Sequence, residues 1–217
     1  MVQLFVDREE ELRFLEEKFS SRELELVVIY GRRRVGKTDL VARFMKGKSA
    51  VYFLADRRPE RDLLLELREK MAHVLQDESF AKLEVKDWPE LFEEFVKWWK
   101  GGRVIIVLDE FPTLIESNKA IPSIFQKIWD QKLKESKVML ILLGSSVGMM
   151  ETDVLGYRSP STVEEPGNGS SNPYASNTLR CSSPSIVKKT SSGFTVASAG
   201  FQPTSSSSTQ TFLSGIT

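Results

Sequence analysis

Residues 24–45 read LELVVIYGRRRVGKTDLVARFM, and this stretch decides the fold. Val27, Val28 and Ile29 are the apolar, β-branched run of a strand buried on both faces. Leu40, Val41, Phe44 and Met45 recur at helical spacing. Between them Gly31, Arg32, Arg33, Arg34, Val35, Gly36, Lys37 and Thr38 fit G-x-x-x-x-G-K-[ST]. The two glycines let the backbone turn with positive φ and come close to a polyanion. Successive N–H groups then converge, and the next helix presents its positive end. In such a loop Lys37 reaches the β- and γ-phosphates and the Thr38 hydroxyl sits on Mg²⁺. Asp39, next in the chain, is counted with the nucleotide site. A Gly-containing turn between two core elements would show the same short pattern; the strand before and the helix after favour a nucleotide.

Further along, residues 103–109 (RVIIVLD) are another apolar strand, and it ends in Asp109 with Glu110 next. Asp109 is expected to hold Mg²⁺ through its water shell, opposite Thr38, and Glu110 to orient and polarise an attacking water. An acidic pair at a strand end is common, so the pair gains weight from following a phosphate loop. Residues 138–143 (VMLILL) form a strand closed by Gly144, Ser145 and Ser146. Ligands of open parallel sheets sit at the carboxyl ends of strands. Ser145 and Ser146 are therefore both candidates to bond a γ-phosphate or the water, a helix N-cap being the other role for either.

The remaining segments supply the walls. Asp7 and Glu10 resemble a capping box, and Leu12, Leu15 and Phe19 mark one helix face. Residues 50–54 (AVYFL) are a buried strand. Pro59 starts a long helix with Leu63, Leu64, Leu67, Met71 and Leu75 inward. Residues 77–87 read as a loose connection. Trp88 and Pro89 open a helix whose apolar side is Leu91, Phe92, Phe95, Trp98 and Trp99; their helical spacing favours core packing over a binding platform, the other reading of such aromatics. Residues 111–118, with Pro112, read as a linker. Pro122 begins a helix carrying Ile124, Phe125, Ile128, Trp129 and Leu133.

Bulk properties exclude several classes. In 217 residues, 30 Lys and Arg balance 30 Asp and Glu, so no overall basicity points to nucleic acid. Cys181 is the one cysteine, which rules out an internal disulfide and a four-cysteine metal site. His73, the one histidine, falls in a helical stretch without a ligand partner and is expected at or near the surface. The N-terminus lacks the apolar core of a signal peptide, and no apolar run approaches the ~20 residues of a membrane helix. A cytoplasmic protein without a membrane partner is expected.

The ordered set FVDREEEL, GRRRVGKT, VIIVLDEF, LILLGSS and a segment ending LGYRSP resembles the archaeal AAA-type P-loop ATPase family, a relative of the signal-transducing NTPases. The resemblance covers about residues 1–160. It implies an α/β fold with a parallel sheet of order 5-1-4-3-2 and helices on both faces. It also implies ATP and Mg²⁺ as ligands and ATP hydrolysis coupled to a conformational switch. Gly36, Lys37 and Thr38 match the family's phosphate and metal residues, and Asp109 and Glu110 its second motif. Ser146 falls near its sensor position, and residues 5–8 match an opening motif near the adenine. A nucleotide-binding switch that barely hydrolyses and a DNA-associated initiator-like ATPase are the alternatives. A homo-oligomer or a partner protein fits the family. DNA enters only through this analogy, since Arg32, Arg33 and Arg34 are more simply nucleotide or interface contacts.

After Pro160 the composition changes. Glu164, Glu165, Arg180, Lys188 and Lys189 are the remaining charges, and Ser, Thr, Gly, Asn and Pro dominate. Residues 161–217 are expected to be a low-complexity tail, disordered or produced by a shifted reading frame. Codons for residues 161–171, read one base earlier, can encode LYGRRTGQWKL, the kind of continuation the family shows. The lost segment would carry the fifth strand, leaving residues 24–30 as a bare apolar edge prone to aggregation. Residues 194–196 are a possible patch for that edge.

Overall fold

The structure, a computed structural model, describes residues 8–21, 24–156, 186–189 and 194–200. In order, the chain forms helix α1 (Glu9–Ser20), strand β1 (Glu25–Gly31), α2 (Lys37–Met45), β2 (Ala50–Leu54), α3 (Glu60–Leu75), the short α4 (Glu78–Ala81) and α5 (Trp88–Trp98). It continues with β3 (Val104–Asp109), α6 (Phe111–Ser117), α7 (Ile121–Lys127), β4 (Val138–Gly144), the short α8 (Val147–Met149), β5 (Ile186–Lys189) and β6 (Phe194–Gly200). π-helical turns at Ile128–Leu133 and Met150–Val154 prolong α7 and α8.

The strands make one sheet in the order β2-β3-β4-β1-β6-β5. β2, β3, β4 and β1 are mutually parallel, as the α/β reading requires. Side chains alternate between the faces of a strand, and here each face has its own core. Leu26, Val28, Ile106, Leu108, Leu140 and Leu142 pack with α3, α5, α6 and α7. Val27, Ile29, Ile105, Val107, Ile141 and Leu143 pack with Phe14 and Leu15 of α1 and with Leu40, Val41 and Phe44 of α2. Cover on both faces is why the strands read as continuous apolar runs. Trp88, Phe92 and Phe95 are buried, and Phe92 and Phe111 meet Phe125 edge-on at 5.6 and 5.2 Å. These aromatics are core, as expected, and His73 is exposed on α3.

Three local expectations change. Residues 111–117 are helix α6 and not a linker: a proline in the first turn gives up an N–H with no helical acceptor, while Leu114 and Ile115 are buried. Residues 78–81 form α4, capped by Asp77, which accepts from the Ser79 N–H at 2.9 Å. The N-cap of α1 is Arg8, with no side-chain capping bond; Asp7 lies outside the described residues.

The larger correction concerns the edge beside β1. The fifth-strand position was expected to be empty, with residues 194–196 as the one patch named for it; it is filled by β6, which includes those residues and runs on to Gly200. β6 runs antiparallel to β1 through seven register pairs, from Glu25 opposite Gly200 to Gly31 opposite Phe194, and β5 pairs antiparallel with β6. A sheet edge offers a row of N–H and C=O groups that any extended segment can bond, whatever its composition. Val196 adds a buried apolar side chain to the α1 and α2 face. The tail therefore contributes two strands, and the sheet is mixed. Residues 157–160 of the LGYRSP segment and Cys181 lie outside the described residues. Among the described residues no helix is long and apolar enough to cross a membrane.

Candidate active site

The expected residues gather at the carboxyl ends of β1, β3 and β4. Gly36 is the N-cap of α2 with φ 78° and ψ 28°, a left-handed conformation that suits glycine. A Cβ there would also come 3.3 Å from the Arg8 guanidinium, which lies against the loop and donates to the Val35 carbonyl. Lys37 opens α2 and is 8% exposed. Its Nζ donates to the carbonyls of Gly31 at 2.8 Å and Arg32 at 2.9 Å. Burial lowers the Lys37 pKa from its ordinary value, with Arg33 adding to the effect and Glu110 and Asp109 opposing it.

An open cavity of about 500 Å³ lies above the loop. Arg33, Arg34, Gly36, Lys37, Thr38 and Asp39 form one wall, and Asp109 and Glu110 the other. Arg32 reaches the arrangement through its carbonyl alone, its side chain being exposed. Val35 is half-buried below the loop.

Asp109 is 5% exposed, and both its oxygens accept hydrogen bonds. The Glu110 N–H donates to Oδ1 at 2.8 Å. The Thr38 hydroxyl donates to Oδ2 at 2.9 Å and the Tyr52 phenol to the same atom at 2.6 Å. Burial, then the bond to Asp109, raises the Tyr52 pKa, so the phenol stays a donor. Glu110 has φ 52° and ψ 42°, a left-handed conformation that costs a non-glycine residue about 1–2 kcal/mol. That bend ends β3 and starts α6, and it turns the Glu110 carboxylate toward β4. There the Ser145 hydroxyl donates to Glu110 Oε2 at 2.9 Å. Ser146 is the N-cap of α8 and makes no side-chain capping bond. Of the two serines, the structure brings Ser145 to Glu110, where the resemblance pointed to Ser146. Of the opening motif, Arg8 lies by Val35 and Gly36, and residues 5–7 lie outside the described residues.

Tyr52 went unnoticed in the sequence reading, where AVYFL is simply a buried strand. A signal was present. Tyr52 pairs with Val107, and Val107 and Asp109 point to the same face of β3. A phenol buried on that face needs a partner, and Asp109 is the acceptor in reach.

The donor set fits Mg²⁺. A hydroxyl and a carboxylate oxygen lie together, and among the described residues no group of three or more His, Cys, Asp or Glu could hold a metal. Mg²⁺ takes hard oxygens and is usually held by one or two protein groups plus substrate phosphates, unlike an all-protein cage.

Residues 5–165 match the family of ATPase domains found predominantly in Archaea. The chain belongs to that family. Membership carries ATP binding and hydrolysis as the activity of the domain. The chain is 43% identical over 157 residues to the uncharacterized protein MJECL04 of Methanocaldococcus jannaschii, covering 72% of this chain and 33% of that protein. It thus spans a third of that relative's length. Over 45 residues it is 51% identical to the uncharacterized ATP-binding protein MJ0423 of the same organism, covering 21% of this chain and 76% of that one. Among solved structures it is similar to a Walker-type ATPase of Pyrococcus abyssi, with a TM-score of 0.46 and 25% identity, covering 67% of this chain and 47% of that one.

Proposed function

We propose that this chain binds ATP with Mg²⁺ and hydrolyses the β–γ phosphoanhydride, and that the change of contacts at the site drives a conformational switch felt by a neighbouring copy or a partner protein. The observation that carries this reading is the bond between Thr38 and Asp109 across a cavity that also holds Lys37 and Glu110. The Thr38 hydroxyl and the Asp109 carboxylate would hold Mg²⁺, which when bound would neutralise phosphate charge. Backbone N–H groups of residues 32–37 would surround the β-phosphate. Lys37 would exchange its two loop carbonyls for β- and γ-phosphate oxygens. Glu110 would orient a water in line with the γ-phosphorus. The water oxygen would bond to that phosphorus as the bond to the bridging oxygen breaks, one water proton passing to the Glu110 carboxylate, and ADP and phosphate would leave.

The switch with little hydrolysis has one observation in its favour: Ser145 already occupies Glu110 Oε2. A restrained glutamate is not free to orient water. Two variants separate the readings by steady-state turnover. Glu110→Gln is expected to lower kcat on the order of 10²-fold with ATP still bound; unchanged turnover would favour the slow switch. Ser145→Ala is expected to lower turnover if Ser145 serves as the sensor and to raise it if Ser145 restrains Glu110. The DNA-associated reading rests on the family analogy, Arg33 and Arg34 being on the wall of the cavity, and binding that weakens steeply with salt would be its mark.

A shifted reading frame as the origin of residues 161–217 is part of this proposal. Sequencing the gene across the Pro160 codon tests it: the family continuation is expected in the alternative frame, and its absence from the DNA would reject the idea.

A further inference from the structure

The edge strand β2 reaches the active site through one atom. Tyr52 stands next to Val107 in the parallel register, and its hydroxyl lies 2.6 Å from Asp109 Oδ2, the oxygen that also receives Thr38. With Glu110 N–H on Oδ1, the carboxylate is fixed by three donors from three different places: α2, β2 and its own chain. One of these donors, Thr38, takes on a second task once nucleotide binds. Thr38 would then also serve the metal, and the Glu110 N–H sits on a residue in a left-handed bend. Tyr52 bonds Thr38 as well as Asp109, so it can keep its hold on Asp109 as Thr38 turns to the metal. Its ring packs half-buried against the α1 and α2 face of the sheet, so its hydroxyl is anchored from below. A phenylalanine would fill that packing position equally well. The hydroxyl serves Asp109 and Thr38, the two groups that would hold the metal.

We infer that Tyr52 is a positioning residue for the metal: it keeps the Asp109 carboxylate aimed at the Mg²⁺ of bound ATP while Thr38 turns to that same ion. This rests on the ATPase reading above. Outer partners of metal-holding side chains matter on the order of 10- to 100-fold in metal affinity or activity. The effect should therefore appear in the metal-dependent part of nucleotide binding and not in the rest.

The test is equilibrium binding of a fluorescent ATP analogue to the full chain, in EDTA and across a Mg²⁺ titration, for the wild type, Tyr52→Phe and Asp109→Asn. Tyr52→Phe is expected to keep its affinity in EDTA within about twofold. It is expected to lose on the order of tenfold of the gain that Mg²⁺ brings, with the Mg²⁺ midpoint moved upward. Melting of Tyr52→Phe without ligand should match the wild type, since the ring is kept. An unchanged Mg²⁺ gain in Tyr52→Phe, with Asp109→Asn losing it, would overturn the Tyr52 inference and leave the ATPase reading intact. Equal loss in EDTA and in Mg²⁺ would also overturn it, by showing a packing role. No Mg²⁺ gain in the wild type would overturn the metal reading, and this inference with it.

Discussion

β3 and β4 are buried at every residue and packed on both faces by helices, whereas β6, the strand on the far side of β1, adds Val196 to one of the two cores. Both regions belong to one sheet. The parallel part is held by apolar burial in two separate clusters; the antiparallel flap is bonded to the edge of β1 through its backbone, and its Val196 joins one of those clusters. Burial demands particular side chains at particular spacing, while edge pairing demands only an extended chain. The described residues of the candidate site lie in the first region. Lys37 and Thr38 open α2, Asp109 ends β3, and Glu110 and Ser145 follow β3 and β4; the flap contributes none of the contacts among them.

The difference should be measurable as stability. Phe53 on β2 is fully buried, and Phe53→Ala is expected to cost about 3–5 kcal/mol in denaturant unfolding. A loss of 1 kcal/mol or less would place the parallel core on the same footing as the flap. Val196→Ala removes two buried methyl groups and is expected to cost about 1–2 kcal/mol. Amides of β6 should exchange with solvent well before those of β3 and β4. Equal protection across the sheet would mean that the flap unfolds only with the whole, and the contrast drawn here would fail.

A smaller effect belongs to the seam. Glu25 opens β1, faces Gly200 of β6 in register and is 2% exposed. Burial raises its pKa above the usual carboxylate value, against the pull of Lys18 at 3.3 Å, a bond from Ser21 and the charge of Arg103. A raised pKa means that the folded state holds the proton more tightly than the unfolded chain. Its contribution to stability is present in full below the ordinary carboxylate range and is lost as pH rises through the raised pKa. Glu25→Gln is expected to flatten that decline in a pH series of melting temperatures; an unchanged slope would show that Glu25 does not cause it.

How much could be read in advance follows the same divide. The run of Val27, Val28 and Ile29 and the loop ending in Lys37 and Thr38 were legible because double burial and phosphate chemistry each restrict residue type. Asp109 and Glu110 were legible for the same reason. Ser145 and Ser146 were not separable by pattern, because which hydroxyl meets Glu110 depends on how the chain leaves Gly144. There a Cβ would come 2.6 Å from the Met150 sulfur, and that close packing sets the turn. Helix α6 was missed because Pro112 reads as a breaker until its first-turn place is known. The pairing of β6 was raised for residues 194–196 alone, because the open edge of β1 invited a strand while pattern did not give its length. Tyr52 was missed because its partner is 57 residues away.

The claim that bears most weight is that the β1–α2 turn and Lys37 grip a triphosphate beside Asp109. Calorimetric titration of ATP with Mg²⁺ into the wild type and Lys37→Ala tests it most directly. The expected result is saturable binding by the wild type and an affinity at least on the order of tenfold weaker for Lys37→Ala, in line with the loss of charge-assisted bonds to phosphate. Equal affinity in the two proteins would contradict it.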